Sequence, residues 1–197
     1  MPRVATQARP APADKREAVL AAALELFSER AFDGTPMPLI AERAGVGAGT
    51  IYRYFASKEA LGNAVYRDCK LALQRHLLEH AAGASDARGG FGAMWQGLWS
   101  FFQAQPAACR FLETHSHAGY LDDASRAISD AVFVSITEFI RRGQAAGHIR
   151  LAPPPVLIAL AFGAFIGLVK EADAGRFALD QAVIDQSEGL LWDLLKA

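Results

Sequence analysis

Several familiar signals are missing from this sequence, and each absence narrows what the chain can be. Only two cysteines occur, Cys69 and Cys109, far apart and without the spacing of a metal or disulfide framework. The first 16 residues are polar and rich in proline and alanine, unlike a signal peptide, so we expect a cytoplasmic protein with reduced thiols. The apolar run 156–169 is shorter than the roughly 20 residues of a membrane span, and we expect no membrane partner.

The sequence also lacks an excess of charge and any local catalytic signature. The formal net charge is −1, so affinity for nucleic acid would depend on where individual cations lie and not on bulk charge. We find no nucleophile–base arrangement, no glycine-rich phosphate loop and no catalytic metal motif. We therefore expect no enzymatic activity, no cofactor and no bound metal.

Apolar residues at helical spacing are abundant. Hydrophobic residues make up 52% of the 197 residues, which is ample for a globular core, and the pattern predicts an all-α fold of about nine helices. Asp14 should cap the first helix, whose inward stripe is Val19, Ala22, Ala23, Leu26 and Phe27. A fourth helix from Ser57 should bury Leu61, Val65, Leu71, Leu77 and Leu78. Residues 83–90 should form a linker. Five further helices should follow: one over 91–103, one that starts at 106, one over 122–144, one from the prolines at 153–155 to Gly175, and one over 180–196.

Residues 35–58 predict two short helices joined by a tight turn. Thr35 should cap the first helix, with Pro36 at its first position and Gly45 ending it. The second helix, 48–55, places Ile51 and Phe55 on one side as buried anchors.

The other side of this second helix carries short polar and aromatic groups. Thr50, Arg53 and Tyr54 share an arc, and Gly49 allows a close backbone approach. A helix with anchors behind and small reading groups in front suits the DNA major groove. Lys58, at the start of the next helix, is placed to reach a phosphate. Packing of Tyr52 or Tyr54 in the core is the alternative.

Several separated segments agree in order and spacing with one known family. Residues 24–27, 32–35, 40–46, 49–55 and 57–61 carry the agreement, and over about residues 14–62 the sequence strongly resembles the N-terminal DNA-binding domain of TetR-family transcriptional regulators. The resemblance implies phosphate contacts by Thr35, Tyr52 and Lys58, and base-edge or groove contacts by Gly49, Thr50 and Tyr54. Arg53 is added from the helical wheel.

Two positions depart from the family pattern and remove possible DNA contacts. Gly47 stands where a capping serine is common, and Ala48 where a basic or polar residue is common.

The sequence and the resemblance together predict three regions with different functions along the chain. From its three prolines and scattered basic residues, the segment 1–13 is expected to be a disordered arm, in which Arg3 and Arg9 either contact a DNA minor groove or belong to a tail without a DNA contact, the favoured alternative. Residues 14–60 would form a three-helix helix-turn-helix domain that binds double-stranded DNA. Residues 61–197 would form a helical domain for ligand binding and dimerisation, acting as a repressor that a small, largely apolar effector releases.

Homodimerisation is predicted from the last two helices. A helix that is apolar all round, as in 156–169, must be buried on every side, and in the family the last two long helices form a four-helix bundle with a second subunit. The predicted interface residues are Leu160, Gly163, Gly167, Leu190, Leu191 and Leu194. A two-fold dimer would read a near-palindromic operator.

Aromatic residues are dense in the second domain, as in pockets for small apolar ligands and equally in helical cores. The candidate lining residues are Trp95, Trp99, Phe102, Phe111, His115, Tyr120, Phe133, Phe162 and Phe165.

Two other functions stay open. The pairs His76/His80 and His115/His117 have spacings that could bind zinc or nickel in a metal-responsive regulator, although surface or pocket histidines are favoured. A helical adaptor that binds protein and not DNA is the other alternative.

Overall fold

The computed structural model describes residues 12–114, 117 and 119–197. Within that part of the chain the secondary structure is nine α-helices and no strand, which confirms the all-α prediction. The helices are α1 (Pro12–Arg30), α2 (Met37–Arg43), α3 (Ala48–Tyr54), α4 (Lys58–Ala81), α5 (Ala87–Ala104), α6 (Pro106–Thr114), α7 (Asp123–Ala145), α8 (Pro154–Asp173) and α9 (Gln181–Leu195).

Two compact units make up the chain. The first unit comprises the residues up to Tyr66 together with Arg110–Leu121, and the second unit comprises Arg67–Cys109 and Asp122–Ala197. The segment Arg110–Leu121 therefore belongs with the N-terminal helices. The DNA-binding domain expected from the sequence, residues 14–60, did not include this later segment.

The first unit is built around α1, α2 and α3. All five predicted stripe residues of α1 are buried, and Ile40, Ile51, Phe55 and Leu61 complete the apolar interior. The Phe111 ring stacks against Phe27 with ring centroids 6.0 Å apart. This aromatic contact joins the later segment of the chain to the core of the N-terminal helices.

The second unit is centred on Trp95 of α5. The Trp95 indole Nε1 donates a hydrogen bond to the Ile184 carbonyl of α9 at 3.1 Å, and its ring meets Phe165 of α8 edge-on. Beside it, the buried Glu188 carboxylate of α9 forms a two-point ion pair with the Arg88 guanidinium of α5. These contacts fix α9 against α5, because buried polar groups need partners of defined geometry.

Two predicted N-caps, Ser57 and Asp180, are confirmed, and Asp122 caps α7 in the same way. The Ser57 hydroxyl accepts from the Ala60 amide, and the carboxylates of Asp122 and Asp180 accept from Ser125 and Val183. Such bonds satisfy amides that a helix N-terminus leaves open.

The starts of α1 and α5 correct the predictions. Helix α1 begins at Pro12, so Asp14 is not its N-cap, and the rest of the predicted arm, residues 1–11, lies outside the described residues. Helix α5 begins four residues before residue 91, because the Asp86 carboxylate caps it through the Gly89 amide. Only glycine fits at position 90 of this helix without displacing its neighbour, because a Cβ there would lie 2.5 Å from the Phe139 ring.

Helix α4 buries three of the five predicted residues, Leu61, Val65 and Leu77, and exposes the other two. Leu71 and Leu78 are exposed, the latter by 58%, whereas Cys69, Ala72 and Leu73 are buried. The buried residues of α4 follow Leu61 and Val65 at spacings of three and four residues, which place them on one face of the helix. Leu71 and Leu78 lie off this face and are therefore exposed.

Helix α8 is the most apolar element. It has 20 residues, and an 18-residue stretch within it has a mean hydropathy of 1.8, so by length and composition it could cross a membrane, as core helices of soluble proteins also could. Only 22% of its apolar window is buried within the chain. The prediction that α8 is covered on every side is therefore not met by a single chain.

Candidate functional site

Two seven-residue helices, α2 and α3, are joined by a four-residue turn in the first unit. The Ala44 amide donates to the Ile40 carbonyl to end α2, and Gly45 then adopts φ +63°, a left-handed conformation that glycine adopts without strain. The Val46 amide donates back to the Ala41 carbonyl at 3.0 Å. The predicted helix-turn-helix arrangement is therefore present.

The inner side of α3 anchors it to the unit. Ile51 is fully buried and Phe55 is nearly so, as predicted from the helical wheel. The guanidinium of Arg16 on α1 lies 5.5 Å from the centre of the Phe55 ring. With α3 only two turns long, these anchors supply most of its stability, because short helices are marginal in isolation.

The outer side of α3 presents the predicted reading groups. Gly49 and Arg53 are exposed, Thr50 and Tyr54 are half-buried, and nothing lies within 4 Å of a Cβ built at Gly49. Arg53 donates from Nη2 to the Tyr54 hydroxyl at 3.1 Å, with its guanidinium 5.0 Å from that ring's centre. A cation and a phenol therefore form one surface feature beside an open backbone.

Tyr52 lies at the edge of this outer side and is 54% exposed. Packing of its ring in the core, the alternative left open by the sequence, is therefore wrong. Contact of its hydroxyl with a DNA phosphate stays a prediction.

Thr35 corrects the sequence prediction in two respects. Its hydroxyl is fully buried and donates to the Ala31 carbonyl at 2.8 Å, with the Leu26 carbonyl at 3.3 Å, while its amide donates to Phe32. The N-cap of α2 is instead Pro36, with no side-chain hydrogen bond. Because the Thr35 donors are used inside the protein, this side chain is not presented to a phosphate.

Lys58 starts α4, directly after the Ser57 cap. Its ammonium lies 4.5 Å from the centre of the Phe32 ring, and the side chain is half-buried. The cation is held in a defined place by the ring face. Next to it, hydrogen bonds from Ser57 and from its own backbone amide lower the pKa of the Glu59 carboxyl.

His76, His80 and His117 of the two predicted pairs form hydrogen bonds within the protein. His117 is buried, with Nε2 2.9 Å from the Phe111 carbonyl and Nδ1 2.6 Å from the Tyr120 hydroxyl. His76 pairs with the Ser100 hydroxyl, and His80 Nδ1 donates to the His76 carbonyl. Among the described residues no three His, Cys, Asp or Glu side chains converge on a possible metal site; His115 lies outside them.

The second unit contains an apolar cavity of about 220 Å³ bounded by α4, α5, α7, α8 and α9. Its described lining residues are Lys70, Leu73, Leu77, Phe91, Met94, Trp95, Leu98, Ser129, Val132, Phe133, Ile136, Phe139, Ile140, Ile149, Leu157, Ile158, Ala161, Phe162, Trp192 and Leu195. Trp95, Phe133 and Phe162 are among the residues proposed from the sequence. Phe133 is 42% exposed, so part of this lining residue also faces solvent.

Other proposed pocket residues lie elsewhere. Trp99 stacks on Phe102 and neither lines the cavity, while Phe165 is buried behind Trp95. Phe111 and Tyr120 belong to the first unit. Aromatic density alone cannot separate a ring that faces a cavity from one that packs between helices, since both are apolar environments.

The lining residues that the sequence prediction missed are mostly aliphatic. A usable signal was present on α7, where Ser129, Val132, Ile136 and Ile140 recur at spacings of three and four residues on one face.

The last two helices expose part of their apolar surface. Leu160 on α8 is half-exposed with Gly163 beside it, and Leu190 on α9 is 74% exposed, with Leu194 one turn further. Gly167 is half-buried. Leu191 is buried within the chain, so its assignment to a dimer interface is wrong. Helix α9 thus has an inward apolar face through Leu191 and a separate outward one through Leu190.

Known proteins resemble this chain both in sequence and in fold. The HTH-type transcriptional regulator RutR of Escherichia coli is 51% identical over 53 residues, so the match spans 27% of this chain and only 25% of RutR. An uncharacterized HTH-type transcriptional regulator of Haemophilus influenzae is 24% identical over 181 residues, covering 90% and 93% of the two chains. The crystal structure of a TetR family transcription regulator from Marinobacter aquaeolei superposes with a TM-score of 0.84 at 24% identity, covering 93% and 96%.

Two family models account for most of the sequence. "Bacterial regulatory proteins, tetR family" matches residues 19–65, which contain the helix-turn-helix, and "Tetracyclin repressor-like, C-terminal domain" matches residues 66–197, which contain the cavity and the exposed faces of α8 and α9. The chain therefore belongs to the TetR family of transcriptional regulators, with a DNA-binding helix-turn-helix followed by a helical C-terminal domain.

Proposed function

We propose that this regulator is a homodimeric repressor that binds a near-palindromic operator and is released by a small, largely apolar effector. The proposal places the protein in the cytoplasm, where operator DNA and effector meet. Release requires that the effector bind the DNA-bound and DNA-free states with different affinity.

The observation that carries the proposal is the two-sided character of α3. Ile51 and Phe55 are buried on one side, and Gly49, Arg53 and Tyr52 are exposed on the other. Thr50 and Tyr54 complete a surface with a hydroxyl, a phenol and one cation, groups that hydrogen-bond to base edges and phosphates. Lys58 adds a second cation for the backbone. The contacts are few, so we expect a modest salt dependence per subunit.

Dimerisation is supported by the outward faces of α8 and α9. Leu160, Leu190 and Leu194 are large apolar side chains with substantial exposure in one chain, and nothing lies within 4 Å of a Cβ built at Gly163, one turn from Leu160. Apolar exposure of this kind is unfavourable in a soluble monomer and is typical of protein interfaces. Two copies related by a two-fold axis would cover these faces and present two reading helices to one DNA duplex.

The test is selection of binding sites from a random duplex pool with the purified full chain, at low and at moderate salt. We expect an enriched inverted repeat whose half-sites are about one helical turn apart. Tyr54→Ala should weaken the enrichment while the dimer persists, and Phe177→Ala, which truncates a partly exposed aromatic side chain outside the helix-turn-helix, serves as the matched control. Enrichment of a single half-site would refute the dimeric part of the proposal. Equal enrichment by the Tyr54 variant would refute the reading surface.

A further inference from the structure

The Phe32 ring lies at the centre of a stack of side chains in the first unit. The Lys58 ammonium is 4.5 Å from the centre of this ring, and the Tyr120 ring stacks on it with centroids 4.0 Å apart and planes 15° from parallel. Phe27 of α1 packs beside it with centroids 5.3 Å apart. Phe32 belongs to the turn that follows α1, so its orientation depends on these neighbours and not on a helical backbone.

Glycine at position 62 gives two of these rings the room that the stack needs. A Cβ built there would lie 2.7 Å from the Phe32 ring and 3.0 Å from the Tyr120 ring. Gly62 comes one helical turn after Lys58 on α4, so the two positions share a face of that helix. The stacked rings therefore pack on the face of α4 from which the Lys58 side chain extends.

Tyr120 is held in place by hydrogen bonds of its backbone and of its hydroxyl. The Asn63 side-chain amide on α4 donates to the Tyr120 carbonyl at 2.8 Å, and the Tyr120 amide donates to the His117 carbonyl at 3.1 Å. The Tyr120 hydroxyl lies 2.6 Å from Nδ1 of His117, whose Nε2 lies 2.9 Å from the Phe111 carbonyl. Because a carbonyl only accepts, Nε2 carries a proton, and Nδ1 of the neutral ring accepts from the hydroxyl. The Tyr120 ring is thus fixed at both ends.

The charge of Lys58 stays available to an anion while the stack holds it. A ring face attracts an ammonium without neutralising it, and Lys58 forms no ion pair with a carboxylate of the described residues. Ordering a long, flexible side chain when a complex forms lowers the affinity of that complex. A lysine already held by a ring has lost part of this freedom before DNA binds, so the stack favours binding.

We propose that Tyr120 is a positioning residue for the contact between Lys58 and a DNA phosphate, and that it acts through the Phe32 ring. This assignment rests on the proposed function, because it takes Lys58 as a phosphate contact. Tyr120 lies far from the helix-turn-helix in sequence and acts without touching DNA. The affinity of the first unit for DNA is therefore set in part by the segment Arg110–Leu121, through the ring that this segment stacks on Phe32.

The test is a double-mutant cycle, in which the purified full chain is titrated with a duplex recovered by site selection. Tyr120→Leu should weaken binding about twofold to tenfold per subunit, the range for ordering one long side chain. In a Lys58→Met background the same substitution should have no effect, because the ammonium that the stack positions is gone. Tyr120→Phe keeps the ring and should bind like wild type. Phe177→Leu, at a partly exposed aromatic residue of the second unit, is the matched control and should change nothing.

The two claims fail in different ways. An equal loss from Tyr120→Leu with and without Lys58 would mean general damage to the unit and would overturn the positioning role, as would no loss in either background. A loss in Tyr120→Phe as large as in Tyr120→Leu would assign the effect to the hydroxyl and overturn the ring stack. Lys58→Met alone should lower the slope of log affinity against log salt by about 0.9 per subunit, the value for one phosphate contact. An unchanged slope would refute the phosphate contact of the proposed function, whatever Tyr120 does.

Two further measurements keep the test decisive if Tyr120→Leu does not fold. Phe32→Leu removes the ring below the ammonium itself and should weaken binding only while Lys58 is present. In the wild-type protein, nuclear magnetic resonance should show the Hε signals of Lys58 shifted upfield by the ring current of Phe32. Signals at the ordinary position would overturn the contact on which the positioning depends.

Discussion

Replacing Thr35 by valine separates two roles for this residue. In the family resemblance Thr35 contacts a phosphate, whereas in the structure its buried hydroxyl donates to the Ala31 carbonyl, with the Leu26 carbonyl also within reach. Valine keeps the shape and removes the donor. Because one proton serves both acceptors, the loss corresponds to one hydrogen bond plus the cost of leaving a buried carbonyl unpaired, about 1–3 kcal/mol of unfolding free energy.

The assay is urea unfolding followed by tryptophan fluorescence and circular dichroism, paired with operator titration at several salt concentrations. We expect Thr35→Val to lower the unfolding free energy while the affinity of the folded protein and its salt dependence stay near wild type. Ser28→Ala is the matched control, since its hydroxyl donates to the Glu25 carbonyl at an exposed site and should contribute little. Unchanged stability combined with a shallower salt dependence would refute the buried role and restore the phosphate contact.

Further perturbations test other elements of the structure. Thr50→Ala and Tyr54→Ala should each weaken operator binding by about 1–3 kcal/mol without changing the dimer on sizing columns, and unchanged affinity in both would contradict the assigned reading surface. Gly163→Asp should shift the protein to monomer, because a carboxylate buried between subunits without a partner is costly; a dimer that persists would exclude this face of α8. Ala31→Gly should raise the unfolding free energy by about 1 kcal/mol in chemical denaturation, because Ala31 has φ 62° and left-handed backbone is unfavourable for residues with a Cβ. Burial raises the pKa of the Cys69 thiol to about 12, so at pH 8 it stays protonated and should react with a thiolate-directed reagent only after unfolding; rapid labelling of the native protein at this residue would contradict its burial.

Much of the helical architecture follows from local chemistry. Ser57, Asp122 and Asp180 each cap the helix that follows, because the hydrogen bond from side chain to amide is formed within four residues and needs no tertiary context. The anchors Ile51 and Phe55 follow equally from their spacing on a short helix. The sequence is sufficient where the determining contact is local.

The predictions fail where a competing hydrogen-bond acceptor or the packing of another helix decides the outcome. Threonine is a common N-cap residue, but the Thr35 hydroxyl donates to the Ala31 carbonyl, with the Leu26 carbonyl also in reach, and does not cap α2. The glycines at the start of α5 suggested a loop, and only the approach of Phe139 explains why a glycine occupies the helix at residue 90. Which rings face the cavity depends on packing of α5 against α7, α8 and α9, information that periodicity does not contain.

The order of segments in the two units limits how this protein can be divided or recombined. Arg110–Leu121 lies within the sequence of the second unit but belongs to the first. There Phe111 stacks on Phe27, Tyr120 stacks on Phe32, and Asn63 donates to the Tyr120 carbonyl. A fragment that ends at Tyr66 lacks all three contacts, and a chimera that exchanges only the N-terminal helices pairs them with a foreign aromatic segment. The first unit is therefore encoded by two separate segments of sequence, and a chimera that keeps the stability of this unit must include both.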